Sequence, residues 1–121
     1  MKRVAKRGKY DLEERTLVFA ANVRGLVKKL PRNLTNFEDC KQLTRASGSI
    51  GANYIEANEA LGKKDFLMKL RICRKEAKES KYWLNLIDTR EDQALTELKD
   101  NLLQESHELM CIFGSILHKC N

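Results

Sequence analysis

Phe66, Leu70, Cys73, Ala77, Ser80, Leu84 and Ile87 recur at alternating spacings of 4 and 3. That is the seam of an amphipathic helix, unbroken over three heptads. Asp65 stands just before the seam as an N-cap, a residue type whose side chain accepts from the orphan amides of a first turn. Leu12, Phe19, Val23, Leu26 and Leu30 predict an earlier helix over residues 11–30, opened by the capping pair Asp11 and Glu14 and closed by Pro31. Cys40, Leu43, Ile50 and Ala57 predict a second, with Asn36 and Asp39 marking its start and Gly62 its stop. After a polar turn at residues 88–92 come Leu95, Leu98, Leu102, Leu109, Phe113, Ile116 and Cys120, the stripe of a fourth. No segment alternates β-branched and polar residues over a useful length, so no strand is expected. The fold class is therefore all-α, with four helices of about 20–25 residues in an antiparallel up-down four-helix bundle. The bundle occupies residues 11–121, and residues 1–10, with five basic side chains and no apolar period, form a flexible basic arm.

Two features exceed what a simple bundle needs. Ala46 to Ala52 is rich in small residues, and Gly48 and Gly51 within one helix each cost about 1 kcal/mol relative to alanine. Close approach of a neighbouring helix would offset that cost. The fourth helix also adds Leu103, Met110, Ile112 and Leu117 to its stripe, and the third adds Leu67, Ile72, Tyr82 and Trp83 outside its seam. Apolar surface of that width marks either an oligomer interface, the reading preferred, or a broad core.

Composition narrows the class. With 121 residues, one proline and six glycines, the chain is too short for a kinase or a β/α barrel and too poor in turn residues for a sandwich. No run of about 18 apolar residues is present, so no membrane partner is expected. The best signal-like stretch, Thr16 to Val23, is broken by Asn22, and a cytoplasmic location is expected. Cys40, Cys73, Cys111 and Cys120 form no C-x-x-C pair and fall on or near apolar faces, which favours buried free thiols over bridges or metal ligands.

Charge is uneven. Residues 1–32 hold ten Lys/Arg against three Asp/Glu, and residues 63–81 hold eight against three, while the remaining segments are net acidic. Local positive excess of this kind suits polyanionic partners. The candidate nucleic-acid contacts are Lys2, Arg3, Lys6, Arg7 and Lys9 in the arm, Arg24, Lys28, Lys29 and Arg32 near the end of the first helix, and Lys63, Lys64, Lys69, Lys75, Lys78 and Lys81 on the third. Such residues bind RNA or DNA through phosphates without base specificity. Catalysis is not expected. The chain has only His107 and His118, no phosphate loop and no nucleophile elbow. His107 and Cys111 are four residues apart, but two ligands do not make a zinc site, so neither metal nor cofactor is expected. The remaining polar group, Ser49, Asn53 and Glu56 at i, i+4 and i+7, reads as a hydrogen-bond network pinning the second helix to the third, with Ser80 as a partner.

The run from Arg45 through Ala46, Ser47, Gly48, Ser49, Ile50, Gly51, Ala52, Asn53, Tyr54, Ile55 and Glu56 to Ala57 resembles the signature of the 23S rRNA intervening-sequence proteins. Lys64-Asp65-Phe66 and the stretch Lys75 to Leu84 resemble the same family. The resemblance implies a four-helix bundle assembled as a homo-oligomeric ring, a homopentamer, with a basic surface. It also implies an accessory role: related bundles serve the reverse transcriptase of diversity-generating retroelements, so such an enzyme is an expected partner where one is encoded nearby. A protein-interaction scaffold with no nucleic-acid role is the alternative.

Overall fold

The computed structural model describes residues 9–120. They form four helices: α1 Lys9–Lys29, α2 Leu34–Asn58, α3 Lys63–Leu86 and α4 Gln93–Cys120. Among the described residues there is no strand. α2 packs against α1 and α3, and α4 against α3 and α1. Short connections join consecutive helices, so neighbours run antiparallel and α1 lies diagonal to α3. Of the arm, residues 1–8 lie outside the described residues, and Lys9 opens α1 two positions before the expected Asp11 start.

The apolar periods place the core. Leu12, Phe19, Val23, Leu26 and Leu30 are all buried on α1. Leu70, Cys73, Ala77, Ser80 and Leu84 are completely buried on α3. Tyr54 of α2 meets Phe113 of α4 with ring centroids 5.7 Å apart. The α4 stripe differs from its sequence reading. Leu102, Ser106, Leu109, Phe113 and Leu117 face inward, Ile116 is half-buried and Leu98 is exposed. An α-helix drifts about 20° per heptad from a strict 3.5-residue repeat, and over 28 residues that drift moves the seam from Ile116 to Leu117. Most of the extra apolar residues serve a broad core: Leu67 and Leu117 are buried, and Leu103, Met110, Ile112 and Trp83 are half-buried against it, whereas Tyr82 is exposed. Exposed apolar surface includes Tyr82 and Met68 on α3, Leu17 and Val18 on α1, and Leu34 and Phe37 on α2.

The caps of α2 and α3 differ from the sequence reading, and α4 starts directly after the expected polar turn. The α2 cap is Asn33, whose side chain accepts from the Asn36 amide at 2.8 Å, because Asn36 has partners in another loop. Gly62, in extended backbone and without a side-chain bond, precedes α3, and Asp65 sits in the first turn, where its charge suits the positive helix end. Asp92 caps α4 by accepting from the Leu95 amide at 3.0 Å. Arg15 joins α1 to α4, donating to both carboxylate oxygens of Glu105 at 2.7 and 2.9 Å and to Glu108 at 2.7 Å. Hydrogen bonds from Gln104 and then Arg15 hold the Glu108 carboxyl below its usual range. That link acts at neutral pH and is lost as pH falls through the lowered value.

The glycine-rich stretch has a specific use. A Cβ on Gly51 would stand 2.8 Å from Thr16 Oγ1 and 3.2 Å from Thr16 Cβ. Thr16 is fully buried and its hydroxyl donates to the Leu12 carbonyl at 2.8 Å, so it has little room to yield. A Cβ on Gly48 would meet only the tip of Arg24, at 3.3 Å. Gly51→Ala is therefore expected to lower the unfolding free energy by about 1–3 kcal/mol through overpacking, despite better helix propensity. Gly48→Ala is expected to be neutral or to gain up to about 1 kcal/mol. Denaturant midpoints of the two variants check this, and equal shifts would contradict the close α1–α2 contact.

Candidate nucleic-acid interface

The α1–α2 and α3–α4 connections share one end of the bundle, and Asn36 ties them together. It is 2% exposed. Its Nδ2 donates to the Pro31 and Asp88 carbonyls at 3.0 and 2.9 Å, and its Oδ1 accepts from the Asp88 amide at 2.8 Å. The second loop is further fixed by Asp88 Oδ1, which accepts from the Arg90 amide at 2.8 Å. Arg90 and Glu91 then turn the chain in left-handed backbone at φ 53° and 60°. Lys99 donates to the Ile87 carbonyl at 3.1 Å and so satisfies the end of α3. This end is thoroughly braced.

On its α1–α2 side, Lys28, Lys29 and Arg32 stand exposed with no hydrogen-bond or ion-pair partner among the described residues. The first turn of α2 holds no acidic residue. Asp88, Glu91 and Asp92 belong to the other loop, and Glu38, in the second turn of α2, pairs with Lys41 at 3.7 Å. Arg24 is exposed, but its guanidinium folds back to donate to the Ala20 carbonyl at 3.1 Å.

A second basic surface lies on α3. Lys64, Arg71, Lys75 and Lys78, all exposed, form one stripe with Met68 and Tyr82 interleaved, and Lys63 stands exposed at the helix start. Lys75 has only a loose contact, 3.8 Å, with Glu76. Lys69 and Lys81 do not join the stripe. Lys69 pairs with Glu56 of α2 at 2.7 Å, and that hydrogen bond holds its ammonium above the usual range. Lys81 turns to α4, where its ammonium donates to His107 Nδ1 at 3.2 Å. The spacing of lysines alone does not reveal Arg71, although it lies seven residues from both Lys64 and Lys78. Because α1 and α3 are diagonal, the two surfaces face apart. Lys2, Arg3, Lys6 and Arg7 lie outside the described residues, and Lys9 opens α1.

The polar group on α2 does not form the expected network. Asn53 is half-buried and bonds within its own helix, donating to the Ser49 carbonyl at 2.9 Å and hydroxyl at 3.0 Å. Glu56 is exposed, and its pairing with Lys69 is what reaches α3. Ser80 is fully buried, and its hydroxyl bonds no partner among the described residues. Short-range spacing placed these residues on the same helix face without fixing what stands opposite. The α2–α3 contact is completed by Arg45, which reaches Glu79 at 3.4 Å and the buried Glu76 at 3.7 Å.

All four cysteines are free thiols. Cys73 is buried and donates to the Ile50 carbonyl at 3.4 Å, and burial pushes its thiol up to about 12. Cys111 departs from the expected apolar face: it is exposed, 3.6 Å from His107 Nε2. Among the described residues no three His, Cys, Asp or Glu side chains gather into a metal site. In the native protein near pH 8, Cys111 is expected to be alkylated first and Cys73 only after denaturation. Mass mapping of iodoacetamide labelling checks this, and comparable rates at the two thiols would contradict the burial of Cys73.

Residues 9–113 match the family described as 23S rRNA-intervening sequence protein. Among solved structures, the chain is similar to a protein with unknown function from the S23 ribosomal protein family of Bacteroides thetaiotaomicron VPI-5482. The two are 34% identical and superpose with a TM-score of 0.78, covering 91% of this chain and 97% of that one. No curated protein matches. No described helix is long and apolar enough to cross a membrane.

Proposed function

We propose a function from one premise: the chain belongs to the 23S rRNA-intervening sequence protein family. It acts without catalysis and without a cofactor, in the cytoplasm, as a homo-oligomer that holds RNA or DNA through phosphate contacts and does not read bases. The observation that carries this reading is the group Lys28, Lys29 and Arg32, exposed on the braced end of the bundle with no hydrogen-bond or ion-pair partner among the described residues. Cations fixed on a stiff platform neutralise phosphates and release counterions with little ordering cost. The α3 stripe supports the same reading.

One protomer is a modest binder because its two basic surfaces face apart. Repetition around a ring sets several copies of each surface against one polyanion and multiplies the affinity. A homopentamer is the form of ring that this reading expects, and the exposed Leu17 and Val18 supply apolar surface for association. A reverse transcriptase is the partner expected where one is encoded alongside. The same apolar face supports the second reading, a scaffold that binds protein alone.

Light scattering joined to filter retention separates these readings. The proposal expects a mass that is a multiple of 14.0 kDa and retention of labelled RNA at about 50 mM salt. A 14.0 kDa species would remove the oligomer. An oligomer that retains neither RNA nor DNA would leave the scaffold.

A further inference from the structure

We propose that the groove between the last turn of α1 and the first half of α2 is a pocket for one unstacked base of a single-stranded nucleic acid. This rests on the nucleic-acid reading above and names the form of the ligand. The groove is open to solvent and offers about 610 Å³, within the range of small-ligand sites. Val27, Leu30, Pro31 and Phe37 give it an apolar lining. Lys28, Arg32 and Lys41 also line it, and no acidic side chain does. Lys41 is paired with Glu38 at 3.7 Å, whereas Lys28 and Arg32 have no ion-pair partner among the described residues. An apolar slot beside such cations suits a ligand with a flat apolar body and anionic flanks. A nucleotide within a strand has that form.

Phe37 decides between occupants. It is 62% exposed although it lines the groove, and Lys41 Nζ lies 5.1 Å from the centre of its ring. A large ring left open to solvent beside cations is the stacking platform by which single-strand binders hold bases without reading them. Lys28 and Arg32 are placed to meet the flanking phosphates. An acidic peptide would satisfy the cations but has no need of an exposed aromatic face. Bases in a duplex are stacked on their neighbours and cannot enter, so the groove favours single strands.

The test compares a labelled single-stranded oligouridylate with a duplex of equal length by fluorescence anisotropy. Wild type, Phe37→Ala and Phe37→Tyr are measured side by side. Phe37→Ala should weaken the single strand about 5- to 150-fold and leave the duplex affinity unchanged, while Phe37→Tyr restores single-strand binding. Because Phe37 is largely exposed, circular dichroism should show the variants folded as wild type. If wild type binds both ligands and Phe37→Ala alters neither, or both equally, the pocket is wrong and the phosphate-binding reading stands. If wild type binds neither, the nucleic-acid reading falls and the pocket falls with it.

Discussion

Asn36→Ala is expected to lower the unfolding free energy by about 2–4 kcal/mol, a large effect for a polar residue outside any catalytic role. The substitution removes one side chain and strands three backbone groups: the Pro31 carbonyl, the Asp88 carbonyl and the Asp88 amide. Each buried group left without a partner costs about 1–3 kcal/mol, and partial access of water at the loops keeps the sum below the maximum. The loss should be cooperative, because the two loops and the starts of α2 and α4 are held through the same side chain. Denaturant unfolding followed by circular dichroism measures it. A change under about 0.5 kcal/mol, typical of surface substitutions, would show that the loops are held by something else.

Reversing Lys28, Lys29 and Arg32 together to glutamate is the second large effect, and it acts on binding. Each phosphate left without its cation should reduce the salt slope by about 1, so the triple variant should lose about 3. At about 100 mM salt that corresponds to an affinity loss of roughly 100- to 1,000-fold, uniform across sequences. Lys28 and Lys29 also sit in the last turn of α1, where positive charge suits the negative helix end. Reversal there costs about 0.3–1 kcal/mol per residue, so a parallel melting curve is needed to separate unfolding from weakened phosphate binding. Unchanged affinity in a folded variant would move the interface away from this end.

The α1 stripe was legible because one face of one helix is buried along its whole length, from Leu12 to Leu30. The seam of α3 was legible for the same reason. Leu98 and Ile116 were misplaced because a heptad count accumulates angular error over 28 residues. Asn36 was half-legible. Its residue type signals a cap, but a cap that accepts from a near amide looks identical in sequence to a side chain whose partners lie 52 residues away. Lys69 and Lys81 show the same limit for charge. Composition counts them as basic, whereas Glu56 and His107, which occupy them, lie on other helices. Phe37 gave no signal at all, since exposure of an apolar residue beside a helix start has no local signature in the sequence.

If the free cations of this bundle bind polyanions, the affinity must depend steeply on salt. Anisotropy of a labelled RNA with the intact protein, titrated across a range of salt concentrations, measures that dependence. Log affinity should fall in a straight line against log salt, with a slope of magnitude about 2–3 from Lys28, Lys29 and Arg32 alone. Absence of binding at about 50 mM salt, or an affinity that does not change with salt, would contradict this reading of the bundle.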